Sequence, residues 1–293
     1  MIIQVSWDTH PELYRDHRKA LEFCRSIPDQ ESIRSRVQFH TQWTGSQFGR
    51  KQLMTCKAFL ATQNLQECGL IVWTDKVKHN RWTEPLLGLV EFREFIPELM
   101  IRNTPLSRST EKQFGVSFMQ TDVLRMLALA QFGGCWIDMD TVLLRDLSPL
   151  LDQEFFYQWG NSFGVTCGGI IRLLPGSGSA NAILDAFRQK PLELGPTREL
   201  FDYVRPQRER PWSVWPCAWF NTEWNVEPGF RAGDPEWVKF IDNPMLRNAY
   251  SEEMFDGAFA WHWHNRWNEE PEPGSKWCLV EQLVDKAFKQ KFA

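Results

Sequence analysis

Apolar and polar positions along the first half of this chain switch between the period of a strand and that of a helix. RVQFHTQWTG (36–45) predicts a strand ending in Trp43 and a Thr-Gly turn, and a helix follows over roughly Lys51 to Gln63. CGLIVWTD (68–75) predicts a short buried strand closed by Thr74 and Asp75, and this strand, helix, strand order favours a parallel sheet. Residues 76–110 contain Pro85, Pro97 and Pro105, which break any long element and predict a short helix and loops. From Ser117 to Gln131 the positions Phe118, Val123, Leu124, Leu127 and Ala130 recur at helical spacing, with Gly133 just past the end as a stop. A strand over Cys135–Asp138 comes next, then a turn at RDLSPLL, strands over EFFYQWG and GVTCGGIIRLL, and a helix entered from PGSGSANAILDAF. Beyond Gly195 proline and tryptophan become frequent and periodicity fades. No internal repeat or linker divides residues 1–293, so a single α/β domain is expected.

Composition changes this picture little. A 293-residue chain that is 43% hydrophobic can bury a substantial core. Its net charge of -4, from 33 basic and 37 acidic residues, provides no long-range field for nucleic acid, so none is expected as a partner. Seven cysteines, an odd number without a CxxC pair, fit a reducing compartment. The apolar start MIIQV is too short for a signal segment, and no run approaches the roughly 20 apolar residues of a membrane span. A cytoplasmic location without an integral membrane segment is the expectation. Fifteen tryptophans, nine of them from Trp212 onward, suit either core packing or stacking on a flat ligand.

The chemistry concentrates in GGCWIDMDTVL (133–143). On a strand, Asp138 and Asp140 project from one side and Met139 from the other. Two carboxylates so placed repel unless a cation lies between them. A hard divalent ion, Mn²⁺ or Mg²⁺, takes oxygen ligands and keeps positions free for phosphate oxygens, which points to a phosphate-bearing substrate. One helix upstream, Asp122 and Arg125 lie three apart on a face distinct from the Leu124/Leu127 side expected to be buried. They form either a surface ion pair or an acceptor and a forked donor suited to sugar hydroxyls.

TDVLRMLALAQFGGCWIDMDTVLL resembles the signature segment of the glycosyltransferases with a DXD sugar-binding region, usually written (S/T)DxxR…L…GGxYxDxD. That group includes initiating mannosyltransferases, α-1,4-galactosyltransferases and the catalytic domains of large clostridial glucosylating toxins. The likeness joins Asp122 with Arg125, the Gly133-Gly134 pair and the Asp138/Asp140 pair at fixed spacing; Cys135-Trp136 departs from the usual small or aliphatic residue plus tyrosine. The resemblance implies a GT-A fold, with a nucleotide-sugar half over about 30–150 and an acceptor half over about 151–293. It implies that Asp138 and Asp140 serve donor and metal, that Asp122 and Arg125 hold sugar hydroxyls, that Trp43 stacks on the base, and that Asp75 touches nucleoside or sugar. It also implies a nucleotide-sugar donor, with UDP favoured, a glycan, glycolipid or protein acceptor, and retention of configuration. A soluble catalytic domain of a Golgi-type enzyme without its anchor is the alternative to a cytoplasmic protein.

Near the C-terminus, AWHWHNRW sets His262 and His264 two apart on one side of an extended segment, and related enzymes complete a metal shell there. GSKW, with Ser275 and Trp277, resembles the toxin-type SxW that contacts metal and glycosidic oxygen. Glu223 and Asp256 are candidate carboxylates below the sugar ring, and the Trp212–Trp224 cluster is a candidate acceptor wall. IDMDTVL also fits a haloacid-dehalogenase-type phosphatase with Asp138 as nucleophile, although a fourth-place acid is missing from GDPEWV. A sugar-binding protein that kept the fold without turnover is the third reading.

Overall fold

The computed structural model describes residues 3–30, 33–45, 47–76, 79–108, 117–160, 165–189, 197–221, 243–247, 255 and 257–293. Helix α1 (His17–Ser26) is capped by the Asp16 carboxylate, which accepts the Lys19 N–H. β1 (Val37–Gln42), α2 (Arg50–Thr62), β2 (Cys68–Thr74), β3 (Glu91–Glu94), α3 (Pro97–Met100) and α4 (Ser117–Phe132) follow. Then come β4 (Gly134–Ile137), β5 (Thr141–Leu143), β6 (Phe155–Gln158), β7 (Thr166–Leu173), α5 (Ser179–Gln189) and α6 (Thr197–Val204). β8 (Ser213–Trp215), β9 (Ala260–His262) and α7 (Lys276–Phe292) complete the order.

Seven strands form one sheet in the order β3-β2-β1-β4-β7-β6-β8. β1 runs parallel to β2 and β4, β2 to β3 and β6 to β8, whereas β7 is antiparallel to both its neighbours. The result is the expected α/β architecture, a mixed and mostly parallel sheet flanked by helices. Neighbouring residues on the strands divide between two separate cores: Leu70, Ile137 and Phe155 on one face, Ile71, Trp136 and Phe156 on the other. A sheet covered on both faces needs unbroken apolar runs, which is why CGLIVW reads as it does.

The chain walks outward from β1 to β3, then returns to lay β4 on the opposite side of β1. Where strand order reverses in this way, a crevice opens beyond the C-terminal ends of the two diverging strands. The turn into β4 depends on both glycines. Gly133, at φ 61°, ends α4 with its N–H on Leu129 O at 2.9 Å, and a side chain at Gly134 would collide with the Gln38 carbonyl of β1. Trp73 Nε1 donates to His40 Nδ1 at 3.3 Å, so the ring's remaining proton is on Nε2, 3.0 Å from the Gly133 carbonyl that it bonds.

Several expectations need correction. β3 and α3 lie within the stretch expected to hold a short helix and loops; β3 is an edge strand of sequence EFRE with no apolar run to reveal it. Periodicity does not fade through the end of the chain, because α7 buries Trp277, Val280 and Val284 at helical spacing. Helix α4 is buried around its circumference from Val123 to Leu129, Arg125 included, so Arg125 is not half of a surface ion pair. Trp212, Trp215 and Trp219 are fully buried core residues and build no acceptor wall, and Trp224 lies outside the described residues. None of the seven cysteines forms a disulfide. Among the described residues no helix is long and apolar enough to cross a membrane.

Candidate active site

β4 ends at Ile137, so Asp138, Met139 and Asp140 occupy a turn and not the strand predicted for them, with the Thr141 N–H on Asp138 O at 2.9 Å. The two carboxylates converge nonetheless, and the Met139 side chain between them is buried in the core. The turn is fixed from three directions. Asp138 N–H reaches Gly169 O on β7 at 2.8 Å, Thr55 Oγ1 of α2 donates to Met139 O at 2.6 Å, and the Trp263 N–H reaches Asp140 O at 3.1 Å. Strand pairing then supplies the third group. β5 leaves the turn and pairs with β9 in the register Thr141↔His262, placing the imidazole beside Asp140 from 122 residues along the chain. Oxygen and nitrogen ligand atoms of Asp138, Asp140 and His262 all lie within 4.8 Å of one another.

Each aspartate has its own partners. Asp138 Oδ1 accepts from Arg125 Nη2 at 2.8 Å and from Trp136 Nε1 at 2.7 Å; Arg125 Nη2 is also 3.4 Å from Asp122 Oδ1. Asp140 Oδ1 is 3.1 Å from His262 Nε2, and its Oδ2 accepts the Asn265 N–H at 2.7 Å. The environments push the two acids apart. Burial raises Asp138 above the usual carboxylate range against the pull of Arg125. Burial acts on Asp140 too, but His262 and the Asn265 N–H outweigh it and hold that carboxyl below the usual range. Burial disfavours a charged His262, yet the Asp140 carboxylate prevails and raises it.

The segment after β9 folds over this corner. His264 and Asn265 both have left-handed backbone, φ 56° and 54°, unusual outside glycine and here tied down by the bond to Asp140. Lys51 of α2 donates its ammonium to the carbonyls of Arg266 at 2.6 Å, Trp267 at 3.1 Å and Glu269. Trp267 consequently meets Trp43, ring centroids 4.5 Å apart. Trp43, Asp122, Arg125, Asp138, Asp140 and Trp267 face one open cavity of about 320 Å³, together with Gln42, Thr44, Trp136, Met139 and Asn265. It occupies the crevice between the ends of β1 and β4.

Of the residues singled out from sequence, this cavity gathers Trp43, Asp122, Arg125, Asp138 and Asp140, with His262 directly behind Asp140. Asp75 is exposed and does not line the cavity, its Oδ2 accepting the Gly45 N–H at 3.2 Å. His264 stacks on His262, centroids 4.3 Å apart, but turns its Nε2 to Asn221 Oδ1 at 2.9 Å. Ser275 is the buried N-cap of α7, 3.4 Å from the Cys278 N–H, and Trp277 is fully buried under the Arg50 guanidinium; neither lines the cavity. Glu223 and Asp256 lie outside the described residues. Sequence reasoning did not single out Thr55, Lys51, Asn265 or Trp267, or the Gly168-Gly169 pair of β7. A Cβ at Gly168 would collide with Arg125, and one at Gly169 would stand 2.7 Å from Tyr157 Oη and 3.2 Å from the His262 ring. The adjacent glycines in TCGGII were the available signal, since glycine inside a strand marks close approach by other groups.

Residues 51–157 match the family profile described as "Glycosyltransferase sugar-binding region containing DXD motif". No curated protein sequence matches the chain. Among solved structures it is similar to the glycosyltransferase GlyE of Streptococcus pneumoniae TIGR4, with TM-score 0.52, 9% identity, and coverage of 88% of this chain and 63% of that one. It is similar also to the apo structure of WbbM, a bifunctional glycosyltransferase, with TM-score 0.54, 11% identity, and coverage of 90% of this chain and 53% of that one. The chain therefore spans less than two thirds of either structure, and at these identities the likeness establishes fold. Residues 51–157 thus match the DXD-bearing sugar-binding region of glycosyltransferases, and the fold is the one these GT-A structures share.

Proposed function

We propose that the protein is a metal-dependent glycosyltransferase that moves a sugar from a UDP-sugar to a hydroxyl of a glycan, glycolipid or protein, with retention of configuration. The observation that carries this reading is the meeting of Asp138, Asp140 and His262 beside buried Arg125 in the strand-reversal crevice. The donor set fits a divalent ion. Two carboxylates and an imidazole at mutual ligand distance suit Mn²⁺ better than Mg²⁺, which prefers oxygen alone. Such an ion, when bound, supplies Lewis-acid stabilisation of the diphosphate leaving group.

The chain's own residues do the rest. Arg125 and Asp122 both line the cavity, where the guanidinium can donate to one sugar hydroxyl while Asp122 accepts from another. Trp136 and Arg125 occupy one oxygen of Asp138 and leave the other for the donor. Trp43, with Trp267 against it, offers an aromatic wall for a base. UDP and retention rest on the family resemblance around Trp43 and the DXD segment. Ser275 and Trp277 reach the donor only through a rearrangement, since both are buried in the core, whereas exposed Asp75 is the softer candidate for a nucleoside or sugar contact.

The phosphatase reading is weaker here: among the described residues no lysine lines the cavity, and Asp138 Oδ1 is engaged by Arg125 and Trp136. The test is release of nucleoside diphosphate from a panel of nucleotide sugars with Mn²⁺ and Mg²⁺. Mn²⁺-stimulated release from a UDP-sugar is expected, reduced by about 10² or more in Asp138→Asn and Asp140→Asn, the scale of losing a principal charge-stabilising group. Absence of hydrolysis and transfer across the panel would sink it, and glycan binding that survives Asp140→Ala without turnover would favour a sugar-binding protein.

A further inference from the structure

His262 has a second buried partner, away from the cavity. Its Nδ1 lies 3.1 Å from Tyr157 Oη, and both residues are buried. Tyr157 comes from β6, in register with Cys167 of β7. The absence of a side chain at Gly169 leaves room for the phenol and the imidazole to meet, and Phe220 packs on the tyrosine ring with centroids 5.3 Å apart. The phenolic oxygen is therefore held in one position.

A neutral imidazole has one N–H and one lone pair. A ring that turns its Nε2 lone pair towards a cation must carry its proton on Nδ1, and a buried N–H needs an acceptor. Among the described residues Tyr157 Oη is the group placed to accept it. Were the phenol to donate to Nδ1 instead, the proton of a neutral ring would be forced onto Nε2, where it would point at Asp140 Oδ1 and mask the lone pair. The phenol hydrogen has somewhere else to go, because Cys167, the cross-strand partner of Tyr157 on β7, sets its thiol beside the same hydroxyl. Burial keeps Tyr157 a neutral phenol, so it can accept from one side and donate to the other.

We propose that Tyr157 is a positioning residue that accepts the His262 Nδ1 proton and so favours the tautomer whose Nε2 lone pair meets a cation held at the Asp138–Asp140 corner, with Cys167 taking the phenol's own hydrogen. This rests on the metal-site reading above, and it adds a residue that never faces the cavity.

The test uses the whole protein and two readouts: the Mn²⁺ dissociation constant from electron paramagnetic resonance, and the ¹H and ¹⁵N shifts of the His262 Nδ1–H group with diamagnetic Zn²⁺ bound. Tyr157→Phe keeps the ring and its packing. It is expected to weaken Mn²⁺ binding by about 10- to 100-fold, the range for losing the outer partner of a ligating histidine, and to shift the Nδ1–H resonances as their acceptor is lost. Cys167→Ala is expected to give a smaller loss in the same direction, by freeing the phenol to donate to Nδ1. His262→Ala separates the two claims. If it binds Mn²⁺ like wild type, the metal-site reading fails. If it binds weakly while Tyr157→Phe stays within about twofold of wild type with unshifted Nδ1–H resonances, the site stands and the role of Tyr157 is overturned. Should Tyr157→Phe not fold, Cys167→Ala decides alone: wild-type affinity with a wild-type ring proton refutes the relay.

Discussion

The turn at Asp138 and the segment over residues 260–269 meet in one cavity, but the framework holds the first while contacts with that turn and with Lys51 hold the second. Asp138 is delivered by β4 and anchored through Gly169, Arg125 and Trp136, all within the sheet or the helix packed on it. Asp140, two residues on, is bound by His262, Trp263 and Asn265 of the covering segment. That segment contains two left-handed non-glycine residues, each costing about 1–3 kcal/mol, which persist because Asp140 and Lys51 over-determine the path. One aspartate thus reports on folding and the other on closure, although the sequence presents them as equivalents.

The largest effect should come from the framework. Arg125→Met leaves Asp122 and Asp138 without their shared cation, and breaking a buried pair of this kind costs about 3–5 kcal/mol. Urea unfolding measures it. Arg125→Lys keeps the charge but loses the fork, so stability should be mostly retained while sugar-nucleotide turnover falls by about 10². A methionine variant as stable as wild type would show that the framework does not depend on this ion pair.

The covering segment should instead respond to pH. His262 is raised by folding, so its contribution is complete below about pH 6.5 and is lost as pH climbs through the raised value. Asp140 is lowered, so its contribution is present above about pH 3.9 and is lost as pH falls through the depressed value. Asp138 is raised and acts oppositely for an acid, its ionisation in the folded state costing stability above about pH 3.9. Chelator-treated protein should therefore lose stability as pH rises from about 6.5 through the raised His262 value. His262→Gln should flatten that slope in denaturant titrations; an unchanged slope would break the link between His262 and Asp140.

The same contrast explains what was legible in the sequence. The framework is written locally: the helical spacing of Val123, Leu124 and Leu127, the glycine stop and the two aspartates lie within about 20 residues and carry their geometry with them. Even there the reason was misjudged, since a turn and not strand alternation brings the carboxylates together. The covering segment depends on β5 and β9, three residues each, whose pairing joins positions 141 and 262 and has no period to detect. His262 and His264 looked interchangeable because spacing puts them on one side. The left-handed turn that sends His264 to Asn221 is a tertiary outcome, held by contacts from Asp140 and Asn221.

A smaller effect is expected at Lys51. Its ammonium gathers three carbonyls of the loop that carries Trp267, and a charge-assisted hydrogen bond contributes about 1.5–3 kcal/mol. Lys51→Met should weaken donor binding by about tenfold in calorimetry with UDP and Mn²⁺, by letting Asn265 and Trp267 drift from Asp140 and Trp43. Unaltered binding would mean that the two left-handed residues and the Asp140 bond suffice to hold the loop.

Ser275 offers the smallest effect and the sharpest choice between two roles. As the N-cap of α7 it accepts the Cys278 N–H, and replacing such a cap by alanine costs about 1 kcal/mol. Its neighbour Trp277 is enclosed by Arg50 and the core that also holds Trp261 and Trp263, so the cap fixes how α7 packs behind the covering segment without touching the cavity. Ser275→Ala should therefore lower stability by that amount and leave the donor KM within about twofold of wild type. If KM rises tenfold or more at undiminished stability, GSKW reaches the donor during turnover, and the covering segment must move farther than its anchoring by Lys51 and Asp140 now allows.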